Sequence, residues 1–204
     1  MASAIPRLIV FTDTTRADAG SMLDRFTALA EGAAPGSVLF TLRDYPLPVR
    51  ERWALGERLA DLAERTQQRF GVADRADLAR AFGCSAFHLP RGGFSAADAR
   101  HYLGESIWLS RGCHDLESAP PPELDAVLLS PIFEVRKARP ALGVAALERA
   151  CSAYPGQAWF GLGAVAAGNA GASLAVGAAG VAVIGAALAR DPEPLLGALG
   201  ILRG

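Results

Sequence analysis

The chain has 204 residues, of which 51% are hydrophobic and 20% charged, and its formal net charge at pH 7 is −1. This length and composition suit one soluble α/β domain, 1–204, with ample apolar material for a core. The nearly neutral charge gives no electrostatic basis for binding nucleic acid or an anionic membrane, and no stretch has the roughly 20 uninterrupted apolar residues of a membrane span.

The three cysteines carry information about the cellular compartment. Cys84, Cys113 and Cys151 lack the spacing of metal ligands, and their odd number argues against a disulfide framework. The apolar run at the N-terminus is interrupted at Asp13, which is too early for a signal peptide. We therefore expect a protein of the reducing cytoplasm.

Short apolar segments alternate with helical patterns along the whole chain. The predicted strands are 8–11, 37–42, 69–73, 85–89, 106–110, 126–129, 159–163 and 181–185. The predicted helices are 21–30, 53–63, 77–82, one from Ser95, a short one at 116–119, 144–150, 169–177 and a last one opened by Gly185. Eight βα units in about 200 residues predict a small (β/α)8 TIM barrel. An open doubly wound sheet is the alternative, but it does not explain why charged residues follow almost every strand.

The last two predicted strands both end in a glycine turn. The first turn contains Gly163 and Ala164, and the second contains Ile184 and Gly185. Small residues at such turns let backbone N–H groups point at an anion, and (β/α)8 barrels often bind a phosphate after their last two strands. We therefore predict that the two turns hold one phosphate group. The alternative interpretation is that small residues here only permit close packing of helices on strands.

Polar and charged residues follow most of the predicted strands, at the end where a barrel has its active-site mouth. They are Asp13, Arg43, Asp44, Asp74, Arg75, Arg91, Cys113, His114, Ser130, Glu134, Arg136, Lys137 and Arg139. A cationic rim beside a phosphate site favours a phosphorylated or diphosphorylated small-molecule substrate. His114 is the candidate acid–base group, because histidine titrates near neutrality, and its alternative role is to cap the short helix at 116–119. Cys113 is a second candidate proton donor, provided that it is exposed.

Several segments carry a resemblance to a known family. The segments ADRADLARAFGCSAFHL, CHDLESA, SPIF…PALG and GLGAV…GNAGASLAVGAAGVAVIGAAL resemble, in this order, the thiamine phosphate synthase and TenI-like family. The resemblance covers nearly the whole chain and implies a small (β/α)8 barrel. Thiamine phosphate synthases join hydroxymethylpyrimidine diphosphate to thiazole phosphate, with Mg²⁺ on the diphosphate and release of pyrophosphate. TenI-like relatives aromatise a thiazole carboxylate phosphate by proton transfer and need no metal.

The resemblance also implies roles for individual residues. Arg43, Arg75 and Lys137 are expected on the diphosphate as the charges that stabilise the leaving pyrophosphate. Asp74 is expected to contact Mg²⁺ as well as the substrate. We place Ser130 in the substrate site too, because it follows the sixth strand.

This sequence departs from the family pattern at positions that bind the pyrimidine and the metal. Leu39 and Thr41 stand where the family has a glutamine and an arginine, and Gly93 stands where it has a second metal carboxylate. Mg²⁺ usually takes one or two carboxylates besides phosphate oxygens, so Asp74 alone gives it limited support.

The sequence is therefore compatible with three functions. The first is a thiamine phosphate synthase-type transferase. The second is a TenI-like tautomerase that keeps the phosphate site and moves a proton with His114 or Cys113. The third is a non-catalytic barrel that binds a phosphorylated metabolite. The sequence is compatible with a homodimer but does not fix the oligomeric state.

Overall fold

Eight parallel strands form one closed barrel, in which the spatial order of the strands is their order along the chain and the last strand pairs with the first. The computed structural model describes residues 5–90, 92, 94–116, 119–134 and 139–204. The strands are β1 (Leu8–Phe11), β2 (Val38–Leu42), β3 (Arg69–Ala73), β4 (Ala86–Leu89), β5 (Trp108–Cys113), β6 (Ala126–Leu129), β7 (Ala158–Leu162) and β8 (Gly180–Val183). The closed barrel confirms the predicted (β/α)8 architecture and excludes the open sheet.

Helices surround the barrel and connect most of the consecutive strands. They are α1 (Ala19–Gly32), α2 (Val49–Arg65), α3 (Ala76–Ala81), α4 (Ala96–Leu103), α5 (Val144–Ala153), α6 (Ala167–Ala175) and α7 (Glu193–Leu199), with a 3-10 helix at Gly185–Leu188. In the part of the chain that the structure describes, none of the helices combines the length and the apolar character needed to span a bilayer.

Apolar side chains fill both sides of the strands, because successive residues of a strand face opposite sides of a sheet. The outer core, between strands and helices, includes Phe26, Phe40 and Leu59. The inner core, inside the barrel, includes Phe11 and Phe160. Strands buried on both faces are continuous apolar runs in the sequence, which is why the sequence pattern locates them well.

Two polar side chains interrupt the inner core on neighbouring strands. His88 Nδ1 and Ser110 Oγ lie 2.9 Å apart, and the His88 ring packs edge-on against Phe11. Burial, followed by the positive charges of Arg43 and Arg111, lowers the pKa of His88 to about 4. His88 is therefore uncharged at neutral pH, as a group inside a barrel must be to avoid a large desolvation cost.

The fifth βα unit differs from the one predicted from the sequence. β5 ends at Cys113 instead of 110, because the polar segment that follows Ser110 continues to pair with β6. None of the described residues between β5 and β6 is helical, so the short helix predicted at 116–119 is not supported, although 117–118 lie outside the described residues. The three prolines at 120–122 lack the amide donors that a helix needs.

The last two helices also differ from those predicted from the sequence. α6 begins at Ala167, ahead of the predicted 169, because the side chain of Asn169 accepts a hydrogen bond from the Ala166 N–H and caps the helix. It ends before Gly177, whose φ of 94° is left-handed. The helix predicted after the second glycine turn is split, with a four-residue 3-10 helix starting at Gly185 and α7 following after a short connection.

Candidate functional site

Two adjoining cavities lie at the C-terminal ends of the strands, where (β/α)8 barrels build their sites. We call them cavity A and cavity B, and both are lined by Leu162, Gly163 and Ile184. Cavity A has a volume of about 370 Å³ and is also lined by Arg16, Glu134, 164–166, 182–183 and 185–186. Cavity B has a volume of about 520 Å³ and is also lined by Asp13, Arg43, Tyr45, His114, Ser130, Pro131 and Arg139.

The turn after β7 presents backbone to cavity A. Gly163 has a φ of 109°, and a Cβ atom there would lie 2.9 Å from the Cα atom of Pro131, so only glycine fits without a backbone shift. Ala164 is left-handed too, with a φ of 52°. Asn169 fixes the turn, because its side chain accepts from the Ala166 N–H at 2.8 Å and donates to the Ala164 carbonyl at 3.0 Å.

The turn after β8 lines the same cavity. A Cβ atom on Gly185 would lie 3.2 Å from Nη1 of Arg16, so this guanidinium lies close to the turn. Within the described residues, the N–H groups of Ala164 and Gly185 donate to no turn or loop acceptor. Free amide donors beside a guanidinium are suited to a phosphate. The residues predicted to bind phosphate all line cavity A: Gly163, Ala164, Ile184 and Gly185.

Asp13 connects the arginines of the two cavities. Its Oδ2 atom lies 3.4 Å from Nε of Arg16 and 3.4 Å from Nη2 of Arg43. Its Oδ1 atom accepts hydrogen bonds from the hydroxyl and the N–H of Thr15, at 2.5 and 3.2 Å. Burial raises the pKa of Asp13, but these hydrogen bonds and the two arginine charges outweigh it and lower the pKa overall. Asp13 is therefore ionised at neutral pH and holds one cation in each cavity.

The loop between β1 and α1 is fastened to the end of β2. Thr12 Oγ1 accepts a hydrogen bond from the Arg43 N–H at 2.9 Å. Asp44 Oδ1 accepts from the N–H and the hydroxyl of Thr14, the latter at 2.7 Å. Asp44 is only 3% exposed, so this rim residue positions the loop instead of facing a cavity.

His114 and Ser130 both line cavity B, as predicted for site residues. His114 Nδ1 lies 2.7 Å from the backbone oxygen of Ser130. Because a carbonyl oxygen can only accept a hydrogen bond, Nδ1 carries the proton, and Nε2 of the neutral ring is an acceptor. The ring can therefore take a proton from a group in cavity B.

Cys113 is not supported as a proton donor, because it lines neither cavity. Ser110 faces the barrel interior, so Cys113, three residues further along β5, faces outward. The Cys113 thiol donates to the backbone oxygen of Asp115 at 2.6 Å and packs against the outer core.

Asp74 and Arg75 follow β3 but also line neither cavity. Arg75 is engaged with Asp77 through two hydrogen bonds, of 2.8 Å from Nε and 2.5 Å from Nη2. Loss of solvation, and then the neighbouring Asp74 carboxylate, raise the pKa of the Tyr45 hydroxyl. Tyr45 lines cavity B, so Asp74 lies next to a residue of the site without lining a cavity itself.

Other predicted site residues lie in the long loop after β6 and in the loop after β4. Lys137, Arg136 and Arg91 lie outside the described residues, so the predicted contact of Lys137 with the diphosphate stays a prediction. Arg139, near the end of the β6 loop, lines cavity B and brings a second arginine there beside Arg43.

The carboxylates near the cavities do not form a site that fits a resident Mg²⁺ ion. Asp13 is occupied by threonine and arginine donors, and Asp44 is buried against Thr14. Among the described residues, no three potential metal-ligating side chains are grouped closely enough to hold an ion. Glu134 lines cavity A without a second carboxylate among the described residues of that lining, and Asp74, the carboxylate that the family resemblance assigns to the metal, lines neither cavity.

Sequence reasoning did not identify Arg16 or Tyr45. Arg16 follows β1 by several residues, and in the sequence it looks like any arginine of a surface loop. The spacing Asp13-x-x-Arg16 could have indicated Arg16, because residues three apart at the start of a turn can form an ion pair. Tyr45 lies in a Tyr-Pro-Leu-Pro segment that reads as an ordinary loop.

Comparison with known proteins identifies a family and several relatives. The family described as "Thiamine monophosphate synthase" matches residues 8–187, which include all eight strands. The thiamine-phosphate synthase of Mycolicibacterium paratuberculosis is 32% identical over 196 residues, which cover 89% of this chain and 86% of the relative. That of Thermobifida fusca is 30% identical over 194 residues, which cover 92% of this chain and 87% of the relative.

Solved structures support the fold. The thiamine phosphate pyrophosphorylase from Pyrococcus furiosus superposes with a TM-score of 0.79 at 24% identity, over 95% of each chain. A structure titled "Native KDPGal structure" gives a TM-score of 0.65 at 15% identity, over 97% of this chain and 96% of the other. The match of sequence over nearly the full length of the barrel, together with a cavity built from the last two strand ends, establishes that this chain belongs to the thiamine monophosphate synthase family.

Proposed function

We propose that this chain is a thiamine phosphate synthase-type transferase that couples hydroxymethylpyrimidine diphosphate to thiazole phosphate and releases pyrophosphate. The observation that carries the proposal is the pair of adjoining cavities, each with its own arginine, joined by Asp13. Two neighbouring anion sites suit a reaction between two phosphorylated substrates. The names of the most similar curated relatives point to the same activity.

In this proposal the phosphate of the thiazole substrate binds at the two turns of cavity A. The thiazole ring then extends past the residues common to both cavities, Leu162, Gly163 and Ile184, into cavity B. This orientation brings the ring nitrogen to the substrate that occupies cavity B. Fixing two reactants in one pair of connected cavities removes much of the entropic cost of their encounter.

Cavity B takes the pyrimidine diphosphate. The thiazole nitrogen forms a bond to the exocyclic carbon of the pyrimidine, the bond from this carbon to the diphosphate oxygen breaks, and pyrophosphate leaves with the electron pair. Arg43 and Arg139 line the cavity and stabilise the charge that develops on the leaving group. We assign Lys137 to the same role and Ser130 to substrate contact. Asp74 is the carboxylate that the family resemblance assigns to Mg²⁺, but it lines neither cavity, and no step of this proposal depends on it.

The test is the release of pyrophosphate by the purified chain when both substrates are present. We expect release to need both substrates and to fall about 100-fold in Arg43→Gln. Arg58→Gln, which removes an exposed charge from helix α2, serves as the matched control and should leave the rate unchanged. Measurement with and without Mg²⁺ tests the metal separately. No pyrophosphate under either condition would refute the proposal.

A TenI-like tautomerase is the second candidate, and two observations favour it. Leu39 and Thr41 do not reproduce the polar positions that the family resemblance implies for the pyrimidine substrate. His114 offers Nε2 as a proton acceptor on a ring that lines cavity B. Metal-free conversion of the thiazole carboxylate phosphate tautomer, without pyrophosphate chemistry, would identify this activity instead.

A further inference from the structure

Cavity A is lined mainly by backbone and small apolar side chains, and Arg16 brings a positive charge to it. Among its described lining residues, Arg16 and Glu134 are the charged ones. Glu134 and Arg16 are both exposed, so water screens both charges, and Arg16 is the one whose guanidinium lies close to a turn. The balance of charge at the two turns therefore depends on where the guanidinium of Arg16 lies.

The loop after β1 holds Arg16 in place from its backbone and from its side chain. The Arg16 N–H donates to the Asp13 carbonyl at 3.1 Å, and Nε lies 3.4 Å from the Asp13 carboxylate. A Cβ atom on Gly185 would lie 3.2 Å from Nη1 of Arg16, so the Nη1 atom lies close to Gly185. Within the described chain, the Nη groups of Arg16 have no hydrogen-bond partner. The Nε end pairs with Asp13, and the Nη donors leave the outer edge of the guanidinium available to a ligand.

We propose that Arg16 is a phosphate-binding residue that closes over the phosphate held by the turns at Gly163–Ala164 and Ile184–Gly185. This inference rests on the proposed function, because it deepens the role of cavity A as the site of a phosphate ester. Arg16 supplies two N–H donors in a fork that matches two phosphate oxygens. Asp13 is its positioning residue, since the carboxylate touches the arginine and not the ligand.

The guanidinium also makes cavity A selective. Backbone amides serve any small anion, whereas a full positive charge favours a phosphate monoester, which carries about −1.5 to −2 charges at neutral pH, over a carboxylate or an uncharged alcohol. Cavity A therefore selects the phosphorylated form of its ligand. The thiazole alcohol, which lacks the phosphate, gains nothing from Arg16.

The experiment measures the Kd of inorganic phosphate for the purified chain by calorimetry, in wild type, Arg16→Gln, Arg16→Lys and the control Arg58→Gln. We expect the Kd to rise about tenfold in Arg16→Gln and about threefold in Arg16→Lys, and to stay within about twofold in Arg58→Gln. Because the Arg16 side chain is 44% exposed, its loss should leave the thermal unfolding midpoint without phosphate unchanged. The rise of the midpoint on adding phosphate should shrink in Arg16→Gln.

The outcomes separate this inference from the proposed function. Phosphate binding by wild type with an equal Kd in Arg16→Gln would overturn the role of Arg16 while leaving the two turns as a phosphate site. No phosphate binding by wild type would overturn the phosphate site itself, and the inference with it. A lower midpoint for Arg16→Gln in the absence of phosphate would instead indicate a structural role and overturn the inference.

Discussion

The carboxylate of Asp13 lies 3.4 Å from the guanidinium of Arg43 in the lining of cavity B. This pair keeps Arg43 in the mouth of the barrel instead of extended into solvent, and Arg43 also packs its guanidinium over the ring of Phe11. A cation fixed by an ion pair and an aromatic ring needs little reorganisation when charge develops on a bound substrate.

This placement distinguishes Arg43 from Arg75, although the family resemblance implies the same role for both. Arg43 lines cavity B, whereas Arg75 lines neither cavity and pairs with Asp77. We predict that Arg43→Gln lowers kcat/KM for pyrophosphate formation about 100-fold, while Arg75→Gln lowers it less than about threefold. Steady-state kinetics of both variants under the same conditions provide the comparison. An equal loss in the two variants would show that Arg75 leaves Asp77 to contact substrate.

Gly163 is the position where cavity A is least tolerant of change. Its left-handed φ and the close approach of Pro131 Cα both exclude a side chain. We predict that Gly163→Ala lowers the free energy of unfolding by about 1–3 kcal/mol and abolishes phosphate binding. Urea unfolding and calorimetry measure the two effects.

Gly168, five residues later, is the matched control for this change. It lies in helix α6, and a Cβ atom added there would meet nothing within 4 Å, so Gly168→Ala should be neutral or stabilising by up to about 1 kcal/mol, with phosphate binding retained. Equal destabilisation of the two variants would contradict the special role assigned to the turn at Gly163.

The buried His88 leads to a prediction of how the stability of the fold depends on pH. Burial and the charges of Arg43 and Arg111 lower the pKa of His88 from 6.5 to about 4. Between these pH values the unfolded chain takes up a proton at His88 that the folded chain does not, so this residue makes stability fall as the pH is lowered from 6.5 towards 4. Above pH 6.5 both states are neutral at His88 and the effect is absent.

Replacement of His88 removes this dependence. We predict that His88→Gln, which can still hydrogen-bond Ser110, reduces the loss of unfolding free energy between pH 7 and pH 4 by as much as about 3 kcal/mol. Urea titrations at several pH values measure it, and His101→Gln, on the exposed face of α4, is the control. If His88→Gln and wild type lose the same stability over this range, His88 is protonated in the folded chain.

His114 distinguishes the two candidate activities. In the transferase, arginine charge carries the reaction, and His114→Gln should lower kcat less than about tenfold. In a tautomerase, where Nε2 of His114 accepts the proton, the same change should lower kcat 100-fold or more. Assays of both reactions with this single variant decide between them. A 100-fold loss of pyrophosphate formation would give His114 a direct role in the transfer.

Strand positions could be predicted from the sequence because strands buried on both faces are uninterrupted apolar runs. β1, β3 and β6 begin and end where the pattern indicates. The end of β5 could not be predicted from the apolar pattern, because the strand continues through the polar residue Arg111. Arg111 stays in the strand by backbone pairing with Val127 of β6, and this pairing depends on the neighbouring strand and not on the local sequence. The described residues of the helix predicted at 116–119 are not helical, and three prolines follow at once.

The candidate site could be predicted in part. The two glycine turns were identifiable because their small residues follow strands that the apolar pattern locates. The directions of side chains at strand ends could not be predicted, because a shift of one residue in a strand reverses the face on which a side chain lies. Cys113 faces outward for this reason, and Arg75 is diverted by Asp77, a partner two residues away. Arg16 becomes a site residue only through its proximity to Gly185 at the other end of the chain.

The most direct measurement of the central claim is an NMR titration of the backbone amides with thiazole phosphate, with the unphosphorylated thiazole alcohol as the comparison. If cavity A binds the phosphate, the amide resonances of Ala164 and Gly185 should shift strongly with the phosphorylated ligand and weakly with the alcohol. Equal shifts with both ligands, or shifts confined to residues away from the last two strand ends, would contradict the account.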